Sequence, residues 1–431
     1  MIFTNDFFSP SSSDPHSLSI QLIDSYTYEI HYYEQITNLP PSFLSPDNVI
    51  FRSKIYHGVE FYYVNKTIYE SSLGINAKMF GIIADNATND GDNLQNAINT
   101  SLKLGRRLLL PAGKIWLGEK SLTINLDYTP NYSSYSIHGS GDGITRLICQ
   151  NDDPNQSSGV FNIFSNNPNI NFEIRGLSIK RNGTDKPPFI PPLRFGLGIV
   201  VTNARIEMHD ISIVDFNYGL ILRDVVCGHF NKLNIVGSNI ALLAHREDPG
   251  DGGTNPNAYN FVNCRFAENQ QFCCQMRKIH NVKFDSCVFE RNSIVIDITF
   301  NGDDGRNSLN VINCYFEGNT RDAYLNLQSS GAHNFIGNIF NRLLPTNNYS
   351  IVFENVTSGN IQIINLLGNG FKNGVKYNPP QNIQPIYFIG SPSDYNIIDT
   401  NIYEDSGDYP DYTNINVIKL HTSGHASVEF L

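Results

Sequence analysis

Little in this chain of 431 residues invites nucleic acid or a membrane. Its 30 Lys and Arg stand against 41 Asp and Glu, a formal net charge of −11. The basic footprint that nucleic acid requires is missing, and anionic membrane surfaces are disfavoured. No apolar run approaches the ~18 residues of a membrane span. The opening stretch MIFTNDFFSPSSSDP has neither a positively charged start nor an apolar core, so it does not read as a secretory signal. A role outside the cell would then need another route out, such as lysis or particle assembly. Seven cysteines form an odd set, and Cys273–Cys274 has no second Cys/His pair at zinc spacing. Asp297 with Asp303 and Asp304 matches no calcium loop. Walker, dinucleotide and Gly-x-Ser-x-Gly motifs are absent. No metal and no cofactor are expected.

What is present is a repeat. Phe261 to Asn269 (FVNCRFAEN), Phe284 to Asn292 (FDSCVFERN) and Val311 to Asn319 (VINCYFEGN) all read apolar-x-x-Cys-x-Phe-x-x-Asn. Cys264 and Cys287 are 287 − 264 = 23 residues apart, and Cys287 and Cys314 are 314 − 287 = 27 apart. The polar stretch NGDDGRN, Asn301 to Asn307, accounts for the longer interval. A pattern returning at this period marks a solenoid, whose units bury their apolar faces only by stacking. Cys264, Cys287 and Cys314 should then lie one above another as buried, reduced thiols, with Phe266, Phe289 and Phe316 beside them. Asn269, Asn292 and Asn319 should sit at one corner in the left-handed conformation that Asn tolerates. Leucine-rich repeats share this skeleton, but the segments that follow, SIVIDITF and DAYLNLQ, alternate and are rich in strand formers. The expected fold is therefore all-β, a parallel β-helix. Hydrophobic content of 40% and charged content of 16% suit it, and one-dimensional growth permits the length.

The rest of the chain divides around that repeat. Residues 1–75 carry proline-bearing segments around two strand-like runs, Ile20 to Tyr33 and Val49 to Tyr69, and read as a small β module or arm. From residue 76 to 382 the coils are expected. They open on a short helix near 93–104, in which Leu94, Ala97, Ile98 and Leu102 recur at helical spacing. Asp90 to Asp92 precede the helix and Gly105 closes it, as caps prefer. RGLSIKRN, HDISIVDF and NKLNIVGS fall in register before the central coils, and IGNIFNRL and INLLGNGF after them. Gly183 to Phe195 and Arg246 to Pro256 are irregular inserts, where function concentrates on a regular scaffold. Residues 383–431 read as a last coil with terminal strands.

The stretch KMFGIIADNATNDGDNLQNAINTSLKLGRRLLLPAGKIWL, followed by IHGSGDGITRLI, resembles the opening segment of the pectate-lyase-like superfamily. This segment begins the right-handed parallel β-helices of bacteriophage tailspikes and related polysaccharide lyases and hydrolases. The likeness covers Ala77 to Cys149 and, more loosely, the coils to about Gly374; Asp92-Asn93 stand where the family has an acidic pair and Thr. The resemblance implies a helix capping the open end of the tube and depolymerisation of a bacterial surface polysaccharide. It also implies a homotrimer, other virion tail proteins as partners through residues 1–75, and a virion or extracellular location. A non-catalytic glycan-binding or structural β-helix, and a cellular polysaccharide lyase or epimerase, are the alternatives.

Register converts sequence into distance, because stacked strands lie ~4.8 Å apart. Glu290 and Glu317 share a slot on consecutive coils, which would set their carboxylates ~5 Å apart, the separation of a retaining glycoside hydrolase. Glu268 adds a third acid, and crowding would keep one of them protonated. The plainer reading is a set of solvated turn residues. With Leu222, Ala244, Met276, Ile298 and Leu327 taken as inward, Arg223, His245, Arg277, Asp297, Tyr324 and Asn326 face out. Cations, an acid, an aromatic ring and amides suit a sugar chain. His245, Tyr324 and Arg277 are also of the types a lyase uses as base and as cation against a uronate. Ordinary strand surface is the alternative.

Overall fold

The computed structural model describes residues 19–23, 30–39, 50–56, 59–69, 74–130, 134–150, 159–181, 196–245, 257–300, 307–342, 350–355, 362–373, 386–389, 395–403, 416–421 and 427–430. The inserts 183–195 and 246–256 and the stretch 301–306 lie outside the described residues.

Parallel strands stack coil on coil in three walls. Asn171–Arg181, Arg205–Val214 and Cys227–Val236 each run along the first wall and bend into the second. The bends fall at Gly176, Asp210 and Lys232, all at positive φ. In later coils the bend becomes a break between two short strands: Ala258–Val262 and Arg265–Ala267, Asn281–Asp285 and Val288–Glu290, Asn307–Ile312 and Tyr315–Glu317. The third wall is a ten-stranded parallel sheet that includes Tyr218–Arg223, Ile240–His245, Phe272–Ile279, Ile294–Phe300, Arg321–Leu327 and Ile351–Asn355. The fold is the parallel β-helix that the repeat called for, and crossovers between parallel strands wind right-handed.

Alternation puts every second side chain inside. On the second wall Phe266, Phe289, Phe316 and Phe340 are strand partners in turn. Their rings stack at centroid distances of 5.4, 4.8 and 4.6 Å, and Phe371 extends the column at 4.7 Å. A second column, Phe230, Phe261 and Phe284, lines the first wall at 4.6 and 4.9 Å. Burying a Phe side chain contributes roughly 1.5–3 kcal/mol, so these columns carry much of the tube's cohesion.

Backbone amides at the corners are met by two internal ladders. At the corner between the first and second walls, the Cys287 N–H donates to Cys314 Sγ at 3.4 Å and the Cys314 N–H to Asn338 Oδ1 at 2.8 Å. Asn338 and Asn369 repeat the pattern toward Asn369 and Asn401. Cys287 and Asn369 also donate backward to carbonyls of the preceding coil, those of Phe261 and Phe335. The thiols and the amides thus share one slot, as members of a single column. All seven cysteines are free, and burial pushes the Cys264, Cys273 and Cys314 thiols upward.

The second ladder holds the next corner. The Asn269 and Asn292 N–H groups donate to the amide oxygens of Asn292 and Asn319 at 3.1 and 2.9 Å. The Asn292 and Asn319 amides in turn donate to the Phe266 and Phe289 carbonyls, both at 3.0 Å. These asparagines do occupy one corner, but not in the left-handed conformation. Positive φ falls on the residue before each, Glu268 (59°), Arg291 (53°) and Gly318 (63°). The asparagines are there for their hydrogen bonds.

The helix spans Gly91–Lys103 and presents Leu94, Ala97, Ile98 and Leu102 to the core. Gly105 follows it at φ 61°. Asp90 makes no side-chain cap bond; its carboxylate instead accepts the Ile83 and Ala84 N–H groups. Before the coils, Ser19–Ile23, Ile30–Ile36, Phe51–Tyr56 and Val59–Asn65 form a four-stranded antiparallel sheet. Its Ile50, Phe51 and Val64 join the same apolar core as Ile75 and the helix. After the last coil, Asn416–His421 pairs antiparallel with Ser427–Phe430.

One buried imidazole makes the tube acid-sensitive. His333 is fully buried, with Nε2 3.3 Å from Gln362 Oε1, Nδ1 without a partner and its ring against Phe300. Burial drives its pKa from 6.5 down to about 4. Between those values the unfolded chain takes up a proton that the folded chain refuses. Stability is therefore intact above the upper value and is lost as pH falls, by on the order of 3 kcal/mol near the lower one. Denaturant unfolding at neutral pH and in acid should show this loss, and His333→Phe should flatten the profile. In the ladder, Asn292→Ala leaves the Asn269 N–H and the Phe266 carbonyl unmet. It should cost about 3 kcal/mol, read as a lowered unfolding midpoint.

Candidate functional site

On the second wall Glu290 and Glu317 are strand partners on consecutive coils, as their shared slot required. Glu290 is engaged already: its Oε2 receives Arg265 Nη2 at 2.7 Å and Nε at 3.2 Å. Glu268, at the corner, pairs with Arg291 at 2.7 Å. Two of the three acids thus meet a guanidinium rather than another carboxylate.

The third wall has more to offer. Its inward column runs Leu222, Ala244, Met276, Ile298 and Leu325, so Leu325 rather than Leu327 follows Ile298. Two outward rows flank that column. One passes through Arg223, His245, Arg277, Thr299, Asn326 and Glu354. The other passes through Gln275, Asp297, Tyr324 and Val352. All six outward residues expected on this wall therefore fall within two adjacent rows.

Contacts tie the rows together. Arg277 Nη2 lies 2.5 Å from Asp297 Oδ2, and its Nη1 donates to the Asp297 carbonyl at 3.1 Å. Gln275 donates to the same carboxylate oxygen at 3.3 Å. Asp297 is 7% exposed, so this charge-assisted pairing offsets its burial. Further along, the Tyr324 hydroxyl donates to Glu354 Oε2, and Asn326 Nδ2 reaches the same oxygen at 3.4 Å. Arg321 covers the Tyr324 ring, its guanidinium 5.6 Å from the centroid. Burial, then the hydrogen bond to Glu354 and the nearby carboxylates, pushes the Tyr324 phenol up to about 12. Tyr324 is accordingly a proton-bearing donor at neutral pH, not a base.

Glu354 is the residue that sequence reading missed. Its strand, Ile351–Asn355, carries no Cys-x-Phe mark and follows the long interval 343–349. Only the alternation of IVFEN, similar to that of IVIDI, could have placed it. Glu354 has no basic partner among the described residues. Nor does any group of three or more His, Cys, Asp or Glu among them converge as a metal would need.

No protein-family model and no curated protein sequence matches the chain. Solved structures do. The enzymatically active domain of tailspike protein 2 from bacteriophage CBA120 superposes with a TM-score of 0.51 at 14% identity, over 92% of this chain and 56% of that one. The shared fold is the parallel β-helix. The tailspike protein of Acinetobacter baumannii phage AM24 superposes with a TM-score of 0.48 at 13% identity, over 93% of this chain and 61% of that one. PfbA, a surface adhesin of Streptococcus pneumoniae, superposes with a TM-score of 0.49 at 11% identity, over 82% and 95%. The chain spans less than two thirds of either tailspike-type chain.

Glu354→Gln removes the charge and the charge-assisted hydrogen bond that help hold Tyr324 up, and leaves burial and the Asp297 charge. In protein labelled at the tyrosine ring carbon, the Tyr324 titration observed by NMR should move down from about 12 and remain above the ordinary phenol value.

Proposed function

We propose that the chain binds and depolymerises a bacterial surface polysaccharide, with the glycan lying along the outward rows of the third wall. The observation that carries this reading is the continuous polar strip from Gln275 and Arg277 through Asp297, Tyr324 and Asn326 to Glu354. Amides and a phenol offer hydrogen bonds to sugar hydroxyls, the ring offers a stacking face, and two carboxylates stand in one strip. Adjacent coils are ~4.8 Å apart, so a chain laid along the axis meets a fresh pair of outward side chains at each step.

Hydrolysis is favoured over β-elimination. Elimination needs a base and a cation free to neutralise the uronate. Here Tyr324 holds its proton and Arg277 is paired with Asp297. In a hydrolysis, the Glu354 carboxylate, oriented by the Tyr324 hydroxyl, is placed to take a proton from the attacking water and pass it to the leaving oxygen. Asp297 would support the developing positive charge, held in place by Arg277. The Glu290 and Glu317 pair of the second wall remains the competing assignment. A virion or extracellular location, a homotrimer and attachment through residues 1–75 belong to the same proposal, supported by the fold and by the likeness to the CBA120 tailspike domain.

The second reading is glycan binding without cleavage, and the Arg277–Asp297 and Arg265–Glu290 pairings favour it, because they commit two of the acids. Incubation with purified capsule and O-antigen fractions separates the readings. New reducing ends mean hydrolysis, ultraviolet-absorbing unsaturated ends mean elimination, and retention without shortening means binding alone. If the third wall is the catalytic one, Glu354→Gln and Asp297→Asn should each lower turnover about 10²–10⁴-fold while glycan is still retained. Glu290→Gln and Glu317→Gln should then leave turnover within about threefold of the original, a difference worth less than ~1 kcal/mol; the reverse pattern would move the site to the second wall.

A further inference from the structure

The first wall carries a set of polar groups that the strip on the third wall does not use. Glu173 and Glu207 are strand partners on consecutive coils, and His229 takes the same slot on the next. In the neighbouring outward row, His138, Arg175 and His209 follow one another. Six chemistry-bearing side chains thus occupy two columns over four coils, on a different wall from Tyr324 and Glu354.

These groups approach one another without closing. His138 Nε2 lies 3.5 Å from Glu173 Oε2, Arg175 Nη1 3.6 Å from Glu173 Oε1, and His209 Nε2 3.7 Å from Glu207 Oε2. The ion pairs of the other walls sit at 2.5 and 2.7 Å. A distance beyond about 3.2 Å leaves donor and acceptor short of a full hydrogen bond. His138 Nε2 is buried and makes no hydrogen bond. Among the described residues, the one close contact to either carboxylate comes from Asn171, whose amide donates to Glu207 Oε1 at 3.0 Å. The His209 and His229 rings lie 5.7 Å apart at a tilt of 54°, which leaves them splayed rather than stacked on each other. His229 Nδ1 is in turn 3.2 Å from the Asn260 amide.

Of these groups His138 Nε2 is the buried one, and a buried polar atom left short of a partner is costly; the Glu173, Arg175, Glu207 and His209 side chains are part-exposed and open to a ligand. The donors do not converge as a metal would require. What fits a column led by acceptors, Glu173 and Glu207, beside a column of donors, His138, Arg175 and His209, is a ligand that is itself long, uncharged along much of its length and rich in hydroxyls. We propose that the first wall, from His138 to His229, is a second polysaccharide-binding site that holds the same glycan at a distance from the strip on the third wall. Glu173 and Glu207 accept sugar hydroxyls, Arg175 and the imidazole N–H groups donate to them, and the His209 and His229 rings cover the apolar sugar faces. The proposal rests on the polysaccharide reading of the third wall. It adds to that reading a tether, so that a long chain stays bound when the strip on the third wall lets go.

The test uses the full chain and a panel of purified bacterial capsular polysaccharides, immobilised as long chains on a biosensor surface. The Glu173→Gln/Glu207→Gln double variant should bind about tenfold more weakly, mainly through faster dissociation. Glu354→Gln alone should keep most of its retention, and the triple variant should lose it. Long-chain binding by the double variant equal to that of the original protein overturns the proposal. Loss of all binding in Glu354→Gln also overturns it, while leaving the third-wall reading intact. No retention of any panel member by the original protein sinks both. Circular dichroism and the unfolding midpoint check that each variant is folded. Should the double variant fail to fold, Arg175→Ala with His229→Ala removes donors from the same two columns and carries the same expectations.

Discussion

Everything in this molecule depends on how the backbone turns a corner without leaving an amide unmet. A tube of stacked coils must break its sheet twice or more per turn, and every break strands N–H and carbonyl groups near an apolar interior. Here the answer is a side chain that accepts an N–H from the coil before it and donates to a carbonyl of that same coil, while its own N–H is met by the side chain of the coil after it. Asn292 does both, toward the Asn269 N–H and the Phe266 carbonyl. Its neighbours do the same, so each coil's corner is set by the next. Such a network is worth more than its separate bonds while complete, and it fails together when interrupted. It also fixes register. A coil that slipped by one residue would lose both its ladder rung and its Phe in the aromatic column.

The column at the other corner shows how loosely chemistry constrains the rung. Cys264, Cys287 and Cys314 give way to Asn338, Asn369 and Asn401 within one continuous line. A thiol is a weak donor and a weak acceptor, yet it fills the space and completes the contacts. Burial pushes the Cys264 and Cys314 thiols toward the neutral form, which keeps them unreactive.

Much of this was legible in the residues. The Cys-x-Phe-x-x-Asn spacing disclosed coil length, inward positions and the phenylalanine column, because an inward slot admits few residue types. The conformation at the asparagine corner was misread for a physical reason. Glu268 and Arg291 adopt positive φ because the ladder positions their successors, and local preference would not choose either residue for it. The site was less legible than the fold. Outward positions tolerate almost any polar residue, so only register identifies them, and register fades where inserts separate coils. Asp297 and Tyr324 lay between well-marked coils and were found; Glu354 lay beyond an insert and was not. Glu173 and Glu207 were hidden differently. The recognised motifs RGLSIKRN and HDISIVDF begin just after them, so the slot they share fell outside the aligned block.

The walls are held from within, by stacked rings and corner ladders that never consult the outward side chains. A row on the outer surface is therefore an address written on a frame that does not read it. Tyr324, Glu354 or Glu207 can be exchanged in evolution at small cost to folding, and loops can lengthen at the corners without disturbing the rungs. A chain of this architecture can drift from one ligand to another by editing its exterior alone, and kinship between such chains should survive in the spacing of buried residues long after the surface has lost any trace of it.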